Sequence, residues 1–300
     1  MNLVVGATGL LGGEICRRLA TNQKPVRALV RPLADASRLD ELRKAGAELA
    51  AGDLKDPASL AAACKGADVV FSTASSTFSR QPGDSIDAVD RLGQLSLVAA
   101  AKSAGVKHFV YVSFSPMAED FALQRAKREV EQAVIASGMT YTILRPTFFM
   151  EIWLSPAVGF DVAGRHARIY GSGENAISWI SFANVADFAV RSPASPAAHN
   201  AILPLGGPEA LSPLEVVRIF EELTGAPFTT EYMLESVLRA GKEAARRALD
   251  EALAALSLSY ARGDVIDMRY TLQAMPVRLA SVREYGKWLL SEGRAEGTEA

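Results

Sequence analysis

Three glycines at three-residue spacing, Gly6, Gly9 and Gly12, stand in the run Asn2-Leu-Val-Val-Gly-Ala-Thr-Gly-Leu-Leu-Gly-Gly13. The apolar triplet Leu3, Val4 and Val5 precedes them, and helix-forming residues from Glu14 to Ala20 follow, with Ile15 and Leu19 on one helical face. A flexible loop contains the same letters. Set between a strand buried on both faces and a helix, the triplet acquires a chemistry. Gly6 permits a tight turn out of the strand, Gly9 lets backbone approach a pyrophosphate, and Gly12 lets the helix pack close to the sheet. The amides of Thr8, Gly9, Leu10, Leu11 and Gly12 then face phosphate oxygens at the positive end of a helix. The stretch is a dinucleotide-binding turn.

Further residues take their meaning from that turn. Arg31 ends the next apolar run, at 26–30. In a dinucleotide fold this place faces the adenosine ribose. An acid there holds the 2′-hydroxyl of NAD, whereas an arginine pairs with the 2′-phosphate of NADP. Positions 29–33 hold no acid, so the expected cofactor is NADP(H); the plainer alternative is a solvated strand-end arginine. Asp53 falls where the adenine ring should lie. Its carboxylate could accept from the adenine amino group, with Leu54 against the ring, or cap a turn before the next helix. Thr73, Ala74 and Ser75 end a further apolar run at the same edge and are expected to line the cofactor with backbone.

The elements that must position these residues alternate. Strands are expected at 3–5, 26–30, 47–51, 68–72, 106–112 and 141–144, with helices at 14–20, 37–45, 58–64, 85–104 and 123–137 and a loop at 75–84. This pattern predicts an α/β fold, a doubly wound parallel sheet with helices on both faces and right-handed crossovers. The second half is less regular. Residues 177–182 alternate like a strand, 185–191 read as a short helix, 201–205 as a strand, and 208–225 and 233–262 as helical. Leu249, Leu253, Leu256 and Tyr260 recur at helical spacing, and Arg246 with Asp250 suits a helix-surface pair. The expected organisation is a dinucleotide-binding Rossmann core of 1–150 and 176–205, a smaller, mostly helical cap of 151–175 and 206–290, and a flexible polar tail at 291–300.

Composition narrows the partners. The chain has 300 residues, 49% hydrophobic and 22% charged, with 32 basic and 34 acidic side chains and a formal charge of −2. That balance gives no reason to expect nucleic acid or an anionic membrane as partner. No apolar run spans a bilayer, and a strand starting at residue 2 or 3 leaves no room for a signal peptide. Cys16 and Cys64 form no disulfide framework and read as buried small residues. His108, His166 and His199 are scattered, so no metal site is expected. A cytoplasmic location fits these features.

Gly-Ala-Thr-Gly-Leu-Leu-Gly at 6–12, Arg31, Gly52-Asp53, Tyr111-Val-Ser113, Arg125-Ala-Lys-Arg-Glu129, Tyr141-Thr-Ile-Leu-Arg-Pro146 and Leu205-Gly-Gly-Pro-Glu-Ala-Leu-Ser212 together resemble the NmrA-like branch of the atypical short-chain dehydrogenases/reductases. The resemblance covers nearly the whole chain. It implies an NAD(P)-binding fold, and it spans isoflavone-reductase-like enzymes, quinone and triphenylmethane-dye reductases, and NADP-binding regulators without turnover. In ordinary short-chain dehydrogenases a tyrosine and a lysine four residues later do the acid–base work. Lys127 matches the lysine by its place, but the tyrosine position, 123, is leucine. The resemblance therefore implies that Lys127 holds the nicotinamide ribose and acts as a general acid if burial lowers its pKa; the alternative is a surface lysine beside Glu131. Ser115 falls near the serine of the tyrosine-dependent enzymes, and Ser113 should lie by the nicotinamide; either could instead satisfy a strand-end backbone group. Pro146, Thr147, Phe148 and Phe149 would cover the nicotinamide. Phe149, Trp153 and Phe160 wall an apolar pocket or fill a core.

Two functions follow from this. One is an NADPH-dependent reductase that passes a hydride to a small, apolar, conjugated electrophile such as a quinone, enone or dye. The other is a redox-sensing regulator that binds NADP(H) and acts through a protein partner. Leu123 argues against sugar epimerisation.

Overall fold

The computed structural model describes residues 1–78 and 81–296. The chain begins with β1 (Asn2–Val5), α1 (Leu10–Thr21), β2 (Val26–Val30), α2 (Ala36–Lys44), β3 (Glu48–Ala51), α3 (Pro57–Cys64) and β4 (Val69–Ser72). A π-helical segment, Ile86–Gly93, runs directly into α4 (Gln94–Ser103), and β5 (His108–Val112), α5 (Ala122–Ala136) and β6 (Thr140–Pro146) follow. Next come α6 (Met150–Trp153), β7 (Phe160–Asp161), β8 (His166–Tyr170), α7 (Phe182–Arg191) and β9 (Ala201–Leu205). The remainder forms α8 (Pro213–Thr224), β10 (Thr229–Met233), α9 (Glu235–Ala244), α10 (Ala248–Arg262), α11 (Arg269–Ala274) and α12 (Val282–Glu296).

Seven parallel strands in the order β3-β2-β1-β4-β5-β6-β9 make the central sheet. Side chains alternate across it. Val4, Phe71, Val110 and Leu144 join Ile15, Leu19 and Phe188 in one apolar layer, whereas Leu3, Val70, Tyr111 and Ile143 join Leu60, Leu97 and Val130 in the other. Both faces being covered explains why β1 and β5 are runs of apolar residues rather than alternating ones. The edges differ from the centre. β3 is half exposed, and β9 carries Pro204, whose missing donor costs nothing on a strand paired only with β6. Strand order reverses between β1 and β4, which opens a crevice at their carboxyl ends.

A second, smaller layer sits over that end. It is not purely helical: β10, β8 and β7 form a three-stranded sheet beside α8, α9, α10 and α12. Its core includes Phe148, Trp153, Phe160, Trp179, Phe220 and Tyr260. Phe160 packs on Phe220 and Phe228, and Trp153 stacks on Tyr260 at 4.7 Å. Phe160 is buried in that core, and Trp153 lies at its margin, partly buried.

Several expected elements differ from those observed. Residues 177–182 are no strand: Ile177 N bonds to Leu211 O, Ser178 N to Asp264 O and Ile180 N to Phe148 O. The segment threads between the two layers, so its partners are three separate pieces of chain. The helix expected at 208–225 starts at Pro213, after the Ser212–Glu215 capping box. The one expected at 233–262 is two helices, and Met233 belongs to β10. On α10 the buried residues are Ala252, Ala255, Leu258, Ser259, Ala261 and, as expected, Tyr260, while Leu253 is exposed; alanines let α10 lie close to α5 and α9. Arg247, not Arg246, pairs with Asp250. Residues 291–296 continue α12 rather than forming a tail, and 297–300 lie outside the described residues. Among the described residues no helix is long and apolar enough to cross a membrane, and no three potential metal ligands cluster. Cys16 and Cys64 are buried free thiols, pushed up to about 12 and about 11 by burial.

Candidate functional site

The glycine turn occupies the crevice beside β4. Gly6 has φ +90, and a Cβ there would lie 2.6 Å from Thr73 Oγ1 and 2.8 Å from Ala74 N. A Cβ on Gly12 would lie 2.1 Å from Gly6 O, so helix and turn touch through that glycine. Gly9 has an ordinary φ of −81 and more room, with Gly6 O at 3.3 Å from its would-be Cβ. It is the N-cap of α1, no side chain caps that end, and no acid stands in the first turn. The helical ladder begins with Gly13 N to Gly9 O, leaving the amides of Leu10, Leu11 and Gly12 ahead of it. Uncapped amides, a bare turn and an acid-free first turn make a cradle suited to a pyrophosphate. The Leu11 side chain is in the core and that of Leu10 is exposed, so both offer their backbone.

At the carboxyl end of β2 Arg31 Nη1 contacts Asp84 Oδ2 at 2.7 Å, and Lys55 Nζ reaches Asp84 Oδ1 at 2.5 Å. Two cations thus converge on one nearly buried carboxylate, and Lys55 was not anticipated from the sequence. Asp53 Oδ1 accepts from Lys55 N at 2.9 Å. It closes a turn, while Asp56 caps α3. Leu54 is 6% exposed and lies against Gly93 in the core, so its side chain is not available to stack on a ring. Thr73 N and Oγ1 both donate to Val5 O, Ala74 O accepts from Gln94, and Ser75 Oγ lies 3.3 Å from Thr77 Oγ1.

At the carboxyl ends of β5 and β6 lie two charge networks. Lys127 is 5% exposed, so the surface reading is overturned. Its Nζ donates to Val112 O at 3.4 Å, lies 3.8 Å from Asp90 Oδ1, and sits 5.1 Å from the centre of the Tyr111 ring. Burial lowers its pKa, and Asp90 and Glu131 pull the other way. Asp90, on the π-helical segment, accepts from Ser76 N and Oγ with Oδ2, while its Oδ1 and the Tyr111 hydroxyl are buried without hydrogen-bond partners. In the second network Arg128 and Arg145 both pair with Glu131. Arg128 also donates to Phe114 O at 2.6 Å and to Ser113 Oγ at 3.4 Å. This bolts the loop after β5 to α5.

Ser113 is therefore turned towards Arg128. Ser115 instead donates to Asp264 Oδ1 at 3.1 Å, a residue the sequence reading missed. Pro146 and Thr147 are buried, and Phe149 is half-buried with its ring 4.4 Å from that of Phe182. Phe148 points away into the cap core, packed on Trp153 and Tyr260; it cannot cover a nicotinamide with its ring. Leu123, at the vacant tyrosine position, is buried between α5 and α10.

The family model for the NmrA-like family matches residues 2–283. The chain belongs to the NmrA-like family. Among curated proteins it is 37% identical over 229 residues to the NAD(P)H azoreductase of Xenophilus azovorans, which covers 76% of this chain and 75% of that one. It is 30% identical over 225 residues to the Photosystem II assembly factor Ycf39 of Cyanophora paradoxa, over 74% of this chain and 68% of that one. The NADPH-dependent quinone oxidoreductase QOR2 of Escherichia coli, solved in complex with NADPH, superposes with a TM-score of 0.76 at 22% identity, covering 97% of this chain and 100% of that one. At that identity the likeness speaks for the NmrA-like fold.

Proposed function

We propose that the protein is an NADPH-dependent reductase that passes a hydride to a small conjugated electrophile of the azo, quinone or enone kind. The observation that carries this reading is the uncapped, acid-free start of α1 behind a glycine turn at the crevice, in a chain that shares 37% of its residues with an NAD(P)H azoreductase over the matched region. Bound NADPH supplies the hydride. The chain's own residues would do the rest. Gly6 to Gly12 cradle the pyrophosphate with backbone, Arg31 and Lys55 take the 2′-phosphate, and Asp53 and Thr73 to Ser75 border the adenosine half. Pro146, Thr147 and Phe149 close over the nicotinamide, near Ser113 and Ser115. Lys127, held from water under Tyr111, fixes the ribose and with it the position of the nicotinamide. A flat acceptor suits a site with leucine at 123, because a conjugated system takes a hydride with less assistance than a simple carbonyl.

A second reading, an NADP(H)-binding regulator that works through a protein partner, is favoured by the assembly-factor relative at 30% identity. One experiment separates the two. Purified protein, NADPH and a panel of azo dyes, quinones and enones should give many turnovers, and Lys127→Ala should lower turnover by more than it weakens NADPH binding. If NADPH binds tightly and no acceptor on the panel is reduced, the regulator reading stands and the reductase is lost.

A further inference from the structure

The chain leaving α10 carries an acid back towards the sheet. Gly263 has φ +80, and a Cβ there would lie 2.5 Å from Ala176 O, so the backbone is pressed against residues 176–178. Asp264 N donates to Ala176 O at 3.0 Å, and Asp264 O accepts from Ser178 N at 2.9 Å. With its backbone fixed on both sides, Asp264 reaches Ser115, whose hydroxyl donates to Oδ1 at 3.1 Å. Ser115 is itself pinned, its N–H donating to Pro146 O at 2.9 Å. Thr147 Oγ1 is buried in the same corner, close enough to favour the charged carboxylate yet without a well-formed hydrogen bond. Burial raises the Asp264 carboxyl above its ordinary range, and the two hydroxyls offset part of that rise.

The position of this corner matters. In an open parallel sheet the dinucleotide lies across the carboxyl ends of the strands. With the adenosine half at β2 and β3, the nicotinamide half would fall at β5 and β6, where Ser115 and Thr147 stand. Leu123 leaves the corner without a phenol, and Tyr111, the phenol nearest to Lys127, is wholly buried with its hydroxyl unpartnered.

We propose that Ser115 and Asp264 form a proton relay for the reduction, with Ser115 the donor to substrate and Asp264 the acid that refills it. The relay rests on the reductase reading above and sharpens its substrate class. An acceptor that draws on the relay carries a heteroatom conjugated to the atom that takes the hydride, as in an azo, quinone or enone group; an acceptor that needs only the hydride bypasses it. When the C4–H pair of the reduced nicotinamide moves to the acceptor, that heteroatom becomes basic and takes the Ser115 hydroxyl proton. Ser115 Oγ takes the proton of the Asp264 carboxyl in the same movement. The oxidised nicotinamide, the doubly reduced acceptor and a carboxylate remain, and water reprotonates the half-exposed Asp264. Asp264 acts through Ser115 and is a relay residue rather than a contact to substrate.

The test compares two acceptors: a neutral azo dye, which needs a hydride and a proton, and a triarylmethyl dye cation, which needs only the hydride. Asp264→Asn keeps the acceptor oxygen facing Ser115 but has no proton to give. It should lower the ratio of azo to cation turnover about 10²-fold. Ser115→Ala should do the same, and the double variant should lose little more. In the unmutated protein azo turnover should fall as pH rises through the raised Asp264 pKa, and that fall should vanish in Asp264→Asn. An infrared band of a protonated carboxyl, titrating above the ordinary carboxylate range in cofactor-free protein and absent from Asp264→Asn, gives a readout that needs no turnover. Equal losses on both dyes, or an unchanged ratio, overturn the relay while leaving the reductase intact. Reduction of neither dye nor any other acceptor by the unmutated protein overturns both.

Discussion

Arg31 shows how much one side chain can decide. It shares Asp84 with Lys55, so a 2′-phosphate arriving there must compete with a carboxylate already in place. A charge-assisted pair is worth about 1.5–3 kcal/mol, and the competition should hold the net preference for NADPH over NADH to about tenfold. Arg31→Asp should reverse it, as read by titration of both cofactors; equal affinities in the unmutated protein would remove the assignment. The glycine turn and the place of Arg31 just after β2 were legible in the sequence because their geometry is local: a turn, a helix start and a strand end lie close together in the chain. Asp264 was not, since its partner is 149 positions away and nothing near it in the chain marks it. Leu54 and Phe148 fail in a third way. Their backbone falls where expected, but each side chain turns into a core, a direction that strand-end geometry sets and letters do not.

Glu151 makes the case at the level of elements. It stands in the single turn of α6, and its Oε1 accepts from Phe182 N at 2.8 Å, which ties α6 to the first turn of α7; Oε2 is buried with no hydrogen-bond partner. Burial pushes this carboxyl up to about 7, and Glu14 on α1 adds repulsion. The unfolded value is near 4.5, so between these pH values the folded chain holds a proton that the unfolded chain has lost. Stability must therefore decline as pH rises from 4.5 to 7 and stay reduced above. Glu151→Gln lacks this penalty and should gain on the unmutated protein by on the order of 2 kcal/mol between pH 4.5 and 8, measured by urea unfolding. Burial of His108 pushes its pKa down to about 4, which gives an opposing slope, so the difference between the two proteins is the quantity to follow. A difference independent of pH would mean that Glu151 is charged throughout. The main strands and helices were readable because burial on both faces writes continuous apolar runs. The segment at 177–182 was misread because a chain buried between two layers has the same letters as a strand. The π-helical turn at Ile86–Gly93 was not foreseen, because the apolar positions Ile86, Val89, Leu97 and Val98 also suit the spacing of a plain α-helix.

For the molecule as a whole, a few charges join the apolar contacts between cap and sheet. Glu119, in the loop between β5 and α5, pairs with Lys242 of α9 and Arg262 of α10, and Ala122 N donates to Glu251 of α10. Removing the carboxylate leaves two cations facing each other. Glu119→Gln should cost about 1–2 kcal/mol and lower Tm by about 2–6 °C, with the difference shrinking in high salt because Arg262 is partly exposed. It should also raise the KM for the acceptor if the cap helps to form the acceptor site. Unchanged Tm and KM together would mean that the apolar contacts of α10 with α5 hold the cap alone.

The route of the chain gives the cap a history. After β6 it leaves the sheet to lay down α6, β7 and β8, returns for α7 and β9, and leaves again for the helices that end in α12. On a ribosome, the seventh strand of the sheet emerges only after the first two strands of the cap, and β8 waits about sixty residues for its parallel partner β10. The two layers must mature together, as expected where pairing is so distant in sequence. A chain truncated before β10 would hold a nearly complete nucleotide-binding half next to an aromatic cluster with nothing to cover it, a species for chaperones rather than a smaller enzyme. Asp264 arrives later still, after every strand of both sheets has been made, so its contact with Ser115 is among the last to close.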